Sequence, residues 1–361
     1  MKILAGKYLP IFGVKKINII NPTNTVAPSI PTSNNAMGQT VVINAGIWTG
    51  SPTSYTFKIY RGAILVETVT QIGSTLNYTY VQADAGNAIN LKATVYASNS
   101  AGNGSSVDSN IIVQVLDVLA YNLLNAGSIS DSTTISAVNF LALAGKGLAG
   151  TGVEYWSKFK IARPLVGGTS ASNSYDLLNL QQCTFNGGFT FNSNGVTGNG
   201  VNGWCDENFT INTLGQNTAG VVLYCRSNAQ SNNPFMKITV APNRILDIYI
   251  AYTNGNTYAS IMGGTDLPFT ANSDSRGCFV FTRTSSTIYN MFIRGVKSAM
   301  SQNSIIPGTD EVTSWGEQLV SQYSSKNLSF IGYLNGSLTD AQAYAINADQ
   351  ITFQTMLGRN V

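Results

Sequence analysis

Short runs of alternating apolar and polar residues, cut by Gly, Asn, Ser and Pro, set the tightest limit on what this chain can fold into. Tyr55, Phe57 and Ile59 alternate with Thr56 and Lys58. Leu76, Tyr78 and Tyr80 alternate, and so do Ile89, Leu91, Ala93 and Val95. Successive side chains of a strand point to opposite faces, so a period of two marks strands with one buried face. With the runs at 41–43 and at Ile111, Val113 and Val115, roughly six or seven such strands fall within about 90 residues, the spacing of a β-sandwich.

That stretch, 26–115, is one of three regions. Residues 1–25 form an arm in which Lys2, Lys7, Lys15 and Lys16 are set among Leu4, Tyr8, Leu9, Ile11, Phe12, Ile17, Ile19 and Ile20. The arm ends in the extended linker Asn21-Pro22-Thr23-Asn24-Thr25-Val26-Ala27-Pro28. So much apolar surface on a terminal arm calls for cover, and Lys2, Lys7, Tyr8, Phe12, Lys15 and Lys16 are expected to anchor the chain on a partner protein or on another copy. Residues 116–361 open with a helix: capping residues at Ser128 to Asp131 precede Ile135, Val138 and Ala142 on one face, and Gly145, Gly147 and Gly150 end it. Strand-like runs follow at 185–191, 220–226, 236–240, 245–252, 278–283, 288–294 and 328–333. Thr339 with Gln342 then forms a capping box, and Gly358 stops a last helix.

Composition narrows the chemistry. The 361 residues suggest about two domains. Only 10% are charged and none is histidine, which removes Ser–His–Asp and Cys–His catalysis and histidine-ligated metal centres. Twenty basic residues against 17 acidic ones are too balanced for an electrostatic nucleic-acid binder. A 43% hydrophobic content argues against disorder. Lys7 and Pro10 interrupt the only signal-like run, and no apolar stretch reaches membrane-helix length. No signal peptide and no membrane partner are therefore expected. Cys183, Cys205, Cys225 and Cys278 form no CxxC pair. They read as free buried thiols, with one or two disulfides as the alternative.

Two resemblances follow from ordered motifs. Gly46-Ile47-Trp48-Thr49-Gly50-Ser51-Pro52, Tyr60-Arg61-Gly62-Ala63-Ile64, Tyr80-Val81-Gln82-Ala83-Asp84-Ala85-Gly86 and Ala97-Ser98-Asn99-Ser100-Ala101-Gly102 resemble bacterial and phage immunoglobulin-like modules. Such modules serve as spacers or adhesive decorations. In the second region the motifs are Thr134-Ile135-Ser136-Ala137-Val138-Asn139, Trp156-Ser157-Lys158-Phe159, Pro164-Leu165-Val166-Gly167-Gly168-Thr169, Gly195-Val196-Thr197-Gly198-Asn199-Gly200 and the end from Gly336 to Val361. Together they resemble a concanavalin A-like, LamG-type jelly-roll domain of phage structural proteins. Relatives often carry histidines after the Gly-Gly-Thr segment; here Ser170-Ala171-Ser172-Asn173 stand there, and no role is carried over. The expected fold is all-β: an immunoglobulin-like sandwich (26–115), then a larger concanavalin-like jelly roll (116–361) with two short flanking helices.

Candidate chemistry is sparse. Glycoside hydrolysis needs two carboxylates flanking one bond, and the Glu-x-Asp-x-x-Glu pattern of laminarinase-type relatives is missing. Asp206-Glu207 and Asp310-Glu311 are adjacent pairs, whose side chains diverge in a strand. Asp206-Glu207-Asn208 and Asn272-Ser273-Asp274 offer oxygens for calcium but read as turn caps. No catalytic residue, metal or cofactor is expected. Glycan binding would use exposed rings and amides, with Tyr252, Tyr258 and Trp315 as candidates; Tyr249 is a further one, with a core position as its alternative because it sits in an apolar run.

These readings combine into a phage virion protein, not an enzyme: a head fibre, capsid decoration or tail-fibre component that assembles in the host cytoplasm. Its arm would hold other virion proteins, its copies would form a homo-oligomer, and its lectin-like domain would meet surface glycans with avidity. The alternatives are a carbohydrate-active enzyme such as a glycan depolymerase, a bacterial surface adhesin, or a capsid-cementing protein.

Overall fold

In a computed structural model of the chain, residues 18–361 are described except 33–34, 241–242, 266 and 318–320. The arm residues Lys2, Lys7, Tyr8, Phe12, Lys15 and Lys16 lie outside the described residues. Strands dominate, as the alternating runs require. The chain divides into two units, one holding residues up to 84 and 88–114, the other 85–87 and 115–361.

In the first unit the strands Ile112–Val115, Gly86–Asn99, Ser54–Arg61 and Ile64–Gln71 lie side by side in that order. Thr40–Asn44 pairs with Thr75–Thr79, and Thr23–Val26 with Ile47–Thr49. Alternation does the folding here: Val41, Ile43, Leu76 and Tyr78 point inward while their neighbours face solvent, and Phe57, Ile59, Leu91, Ala93 and Val95 are fully buried. The buried carboxylate of Asp84 takes hydrogen bonds from the Tyr78 hydroxyl at 2.8 Å and the Arg61 guanidinium at 2.5 Å.

The second unit is built around a sheet whose strands run Phe189–Asn192, Gly195–Gly198, Asn327–Leu334, Gly220–Cys225, Gly277–Arg283, Ile288–Ile293 and Val296–Ser301. Phe159–Arg163 also pairs with Asn327–Leu334. The central strands are buried on both faces, which is why they read as continuous apolar runs rather than alternating ones. Val221, Leu223, Phe279, Phe281, Ile331 and Tyr333 pack with Ile245, Leu246 and Ile248 of a second sheet. That sheet runs Met236–Val240, Asn243–Tyr249, Asn256–Ile261, Phe269–Ala271. Val222, Tyr224, Val280 and Phe330 pack on the other side against helical residues Leu123, Val138, Leu141, Ile346 and Phe353. A smaller sheet holds Thr184–Asn186, Trp204–Thr210 and Glu311–Ser314.

The fold is thus all-β, but with more helix than the two short elements expected. Four α-helices are described: α1 (Val118–Ala126), α2 (Ser132–Gly145), α3 (Ser170–Ser174) and α4 (Asp340–Met356). The Asp131 carboxylate caps α2 through Thr134 N–H at 2.7 Å, and Thr339 and Gln342 form the reciprocal box on α4. None of the described helices is long and apolar enough to cross a membrane.

Candidate functional site

Four aromatic side chains gather at one end of the second sheet, and strand register puts them there. Tyr249 lies directly opposite Tyr258, and Tyr258 opposite Phe269. Residues opposed across antiparallel strands share a face, so the three rings line up across three strands. The turn between the first two strands adds the fourth. Ala251 at φ +52° and Gly255 at φ +79° reverse the chain, and the Gly255 N–H bonds to the Tyr252 carbonyl at 2.9 Å. This folds Tyr252 back beside its neighbours. Its ring centroid lies 5.6 Å from both Tyr249 and Tyr258, edge-on to each. Phe269 is tilted at 43° to Tyr258, 5.1 Å away.

The three tyrosine rings border a pocket of about 310 Å³ lined by Asn232, Tyr249, Tyr252, Tyr258, Leu267 and Gln322. Tyr249 is the most buried of the lining rings at 8% exposure, whereas Phe269, packed on Tyr258, is 54% exposed; Tyr252 and Tyr258 are half-buried. Amides hold the tyrosine hydroxyl in place. Asn254 Nδ2 donates to Tyr258 OH at 2.7 Å and Asn256 Nδ2 at 3.4 Å. These two donated bonds favour the phenolate and pull the Tyr258 hydroxyl below its ordinary value. A hydroxyl that already accepts twice has its own proton left to donate outward. Gln322 Oε1 accepts from Lys237 Nζ at 2.8 Å, and the Asn232 side chain accepts from the Thr253 hydroxyl. The pocket therefore offers flat apolar faces edged by fixed amides and an outward phenol donor.

Trp315 does not join this site. It is 1% exposed, its indole N–H donates to the Lys326 carbonyl at 3.0 Å, and its ring packs 5.3 Å from Phe235 and 5.7 Å from Phe189. With both faces in the core, it presents none to a ligand. The residue that sequence reasoning missed is Phe269, never singled out; Tyr249 is buried, as its apolar run suggests, and also lines the pocket. The signal available for Phe269 was an aromatic following Pro268 in a polar stretch.

The calcium candidates hold side chains, not open oxygens. Glu207 is fully buried, ion-paired with Arg163, and accepts from the Ser314 hydroxyl at 2.5 Å. Asp206 caps the Asn208 N–H at 2.9 Å. Asn272 Oδ1 accepts from Arg294 at 2.8 Å, and Asp274 pairs with Arg276 at 3.0 Å. Among the described residues, one group has ligand atoms close enough for a metal: Cys183, Cys205 and Glu207, within 4.8 Å of one another. The Arg163 guanidinium on that carboxylate would stand against any cation placed there, so these residues fit a metal poorly.

No protein-family model matches the chain, and no curated protein matches it. Solved structures do. A Trypanosoma rangeli sialidase in complex with sialic acid is 12% identical with a TM-score of 0.46, over 90% of this chain and 53% of its own. Domain 4 of a GH43 extracellular arabinanase from Geobacillus stearothermophilus, in complex with arabinotriose, is 11% identical with a TM-score of 0.40, over 53% of this chain and 98% of that domain. Domains d3–d4 of the rat CD45 extracellular region match 27% of this chain at 12% identity and a TM-score of 0.22. The chain spans about half the length of the sialidase it matches. These structures correct the expectation of a non-enzyme: the sialidases matched over most of the chain are enzymes, and the chain is not classed as non-catalytic. At such identities and TM-scores the likeness selects no reaction.

Proposed function

We propose that the second unit is a glycan-binding domain, with its site at the Tyr249–Tyr252–Tyr258–Phe269 cluster. One observation carries this reading: three tyrosines border a 310 Å³ pocket edged by Asn232 and Gln322, and an exposed phenylalanine packs against one of them. Sugar rings have an apolar C–H face that stacks on aromatic rings, and their hydroxyls take paired donors and acceptors from amides and phenols. Tyr258 supplies the ring and the outward donor, Phe269 extends the platform, and Asn232 and Gln322 reach for hydroxyls.

The placement expected from the sequence, a phage particle whose copies bind surface glycans through avidity, is part of this proposal. Imaging a particle that carries the chain tests it. The test of the site is a glycan array and calorimetric titration with the full chain, followed by Tyr258→Ala and Phe269→Ala. Each substitution should weaken binding by about tenfold or more and leave the fold intact. Binding unaffected by either substitution, or no binding to any glycan at high valency, overturns the reading. The same mixtures, assayed for released reducing ends, test the glycan-active alternative.

A further inference from the structure

The four cysteines are not equivalent. Cys225 and Cys278 lie on adjacent central strands of the large sheet, with Tyr224 opposite Cys278. Their side chains therefore point to opposite faces: Cys225 into the sandwich core, Cys278 under the helices. A sheet lies between them, and no disulfide can pass through it. The Cys225 thiol is turned to the Ser227 carbonyl at 3.7 Å.

Cys183 and Cys205 are placed differently. Cys183 directly precedes the strand Thr184–Asn186, in which Phe185 lies opposite Cys205. Residues 183, 185 and 205 therefore share one face, and the two cysteines are diagonal neighbours. Their sulfurs are within 4.8 Å of each other, both side chains are buried in the same core, and the Cys205 thiol is turned to the Asp206 carbonyl at 3.8 Å. A disulfide needs a sulfur separation of about 2.0 Å and a Cα separation below about 7 Å, so closing the bond draws the backbone just before Thr184 toward Cys205. Burial, with the nearby Glu207 carboxylate adding to it, pushes the Cys205 thiol up in the folded chain, so exchange is fastest while the folding chain still exposes the pair.

We infer that Cys183 and Cys205 form a disulfide when the chain folds against a disulfide oxidant such as oxidised glutathione, while Cys225 and Cys278 stay free. One thiolate attacks a glutathione sulfur and expels the first glutathione thiolate. The second cysteine thiolate then attacks the mixed disulfide and expels the other. The protein loses two protons and two electrons, and one oxidised glutathione becomes two reduced ones. The bond would staple the small sheet across residues 184–204, a segment that also supplies two strands, Phe189–Asn192 and Gly195–Gly198, to the large sheet.

The full chain, unfolded and refolded with either oxidised glutathione or dithiothreitol, tests this. After oxidative refolding, thiol titration in denaturant should find two of the four cysteines, and intact mass should fall by about 2 Da. Peptide mapping should join Cys183 to Cys205, and the melting temperature should rise by several degrees, reversibly with dithiothreitol. Cys225→Ser and Cys278→Ser should keep the bond, and Cys205→Ser should abolish it. Should Cys205→Ser not fold, the wild-type peptide map decides. Four titratable thiols after oxidative refolding, a bond mapped to Cys225 or Cys278, or stoichiometric zinc protecting both thiols in the reduced protein would each overturn the inference.

Discussion

Tyr258 and Trp315 were equal candidates in the sequence, and the structure separates them by what surrounds each ring. Tyr258 leans over a pocket; Trp315 is packed among Phe185, Phe189 and Phe235. Trp315→Ala should therefore act on stability, costing about 3–5 kcal/mol in a urea titration, with glycan affinity per folded molecule unchanged. Tyr258→Ala should do the reverse. An unfolding midpoint that Trp315→Ala leaves in place would contradict the packing. Glu207 makes the same point for charge. Its side chain and that of Arg163 are 0% and 1% exposed, so Glu207→Gln strands a guanidinium in the core and should cost about 3–5 kcal/mol. Adding Arg163→Met should restore part of that loss, since the stranded charge goes with it. Nothing in the local sequence marked Glu207 as buried, because an acid between Asp206 and Asn208 looks like a turn.

That same residue explains an element the sequence hid. Trp204–Thr210 is a strand with Cys205, Glu207 and Phe209 inward, yet one inward position is charged and the outward ones are Asp206 and Asn208. The hydrophobic alternation is broken at its centre. Strands with intact patterning, such as Met236–Val240, were legible to the residue, and α2 and α4 were legible from their caps. The 185–191 run was read as one strand and is two, in different sheets. The break is Gly187, at φ +75°, where an added Cβ would lie 1.9 Å from the Asn202 carbonyl oxygen. Gly187→Ala should cost about 2 kcal/mol or more, from left-handed strain plus the clash. Gly358→Ala, at φ +65° with nothing within 4 Å, should cost only the backbone strain, about 1 kcal/mol. Equal losses in the two variants would show that the close approach at Gly187 is not what divides the run. The aromatic pocket was half legible for a related reason: Tyr252 and Tyr258 stand in a strand–turn–strand pattern, but Phe269 joins them only through long-range pairing.

At the scale of the whole molecule, the absence of histidine sets how stability responds to pH. Among the described residues, the buried carboxyls Asp176 and Asp349 are shifted upward. Burial raises both, outweighing the N–H bonds from Ala162 and Asn179 on Asp176 and from Thr151 on Asp349. A raised acid binds its proton more tightly in the folded chain than in the unfolded one. Its contribution is therefore complete below the ordinary aspartate range, about 3.9, and is lost as pH climbs through the folded value. Asp108 and Asp274, lowered by bonds from Lys92 with Thr94 and from Arg276, act in the opposite sense at the acid end, but they sit at the surface, where solvent screens them. Unfolding free energy measured by urea titration should accordingly fall or stay level from about pH 5 to pH 8, with no rise of the kind that histidines buried in the neutral form produce. The slope, not the level, is the readout in the Asp176→Asn, Asp349→Asn double variant, because each asparagine also disturbs its own hydrogen bonds. That variant should flatten the fall. A stability that climbs with pH across this range, or a fall that survives both substitutions, would show that other groups govern the response.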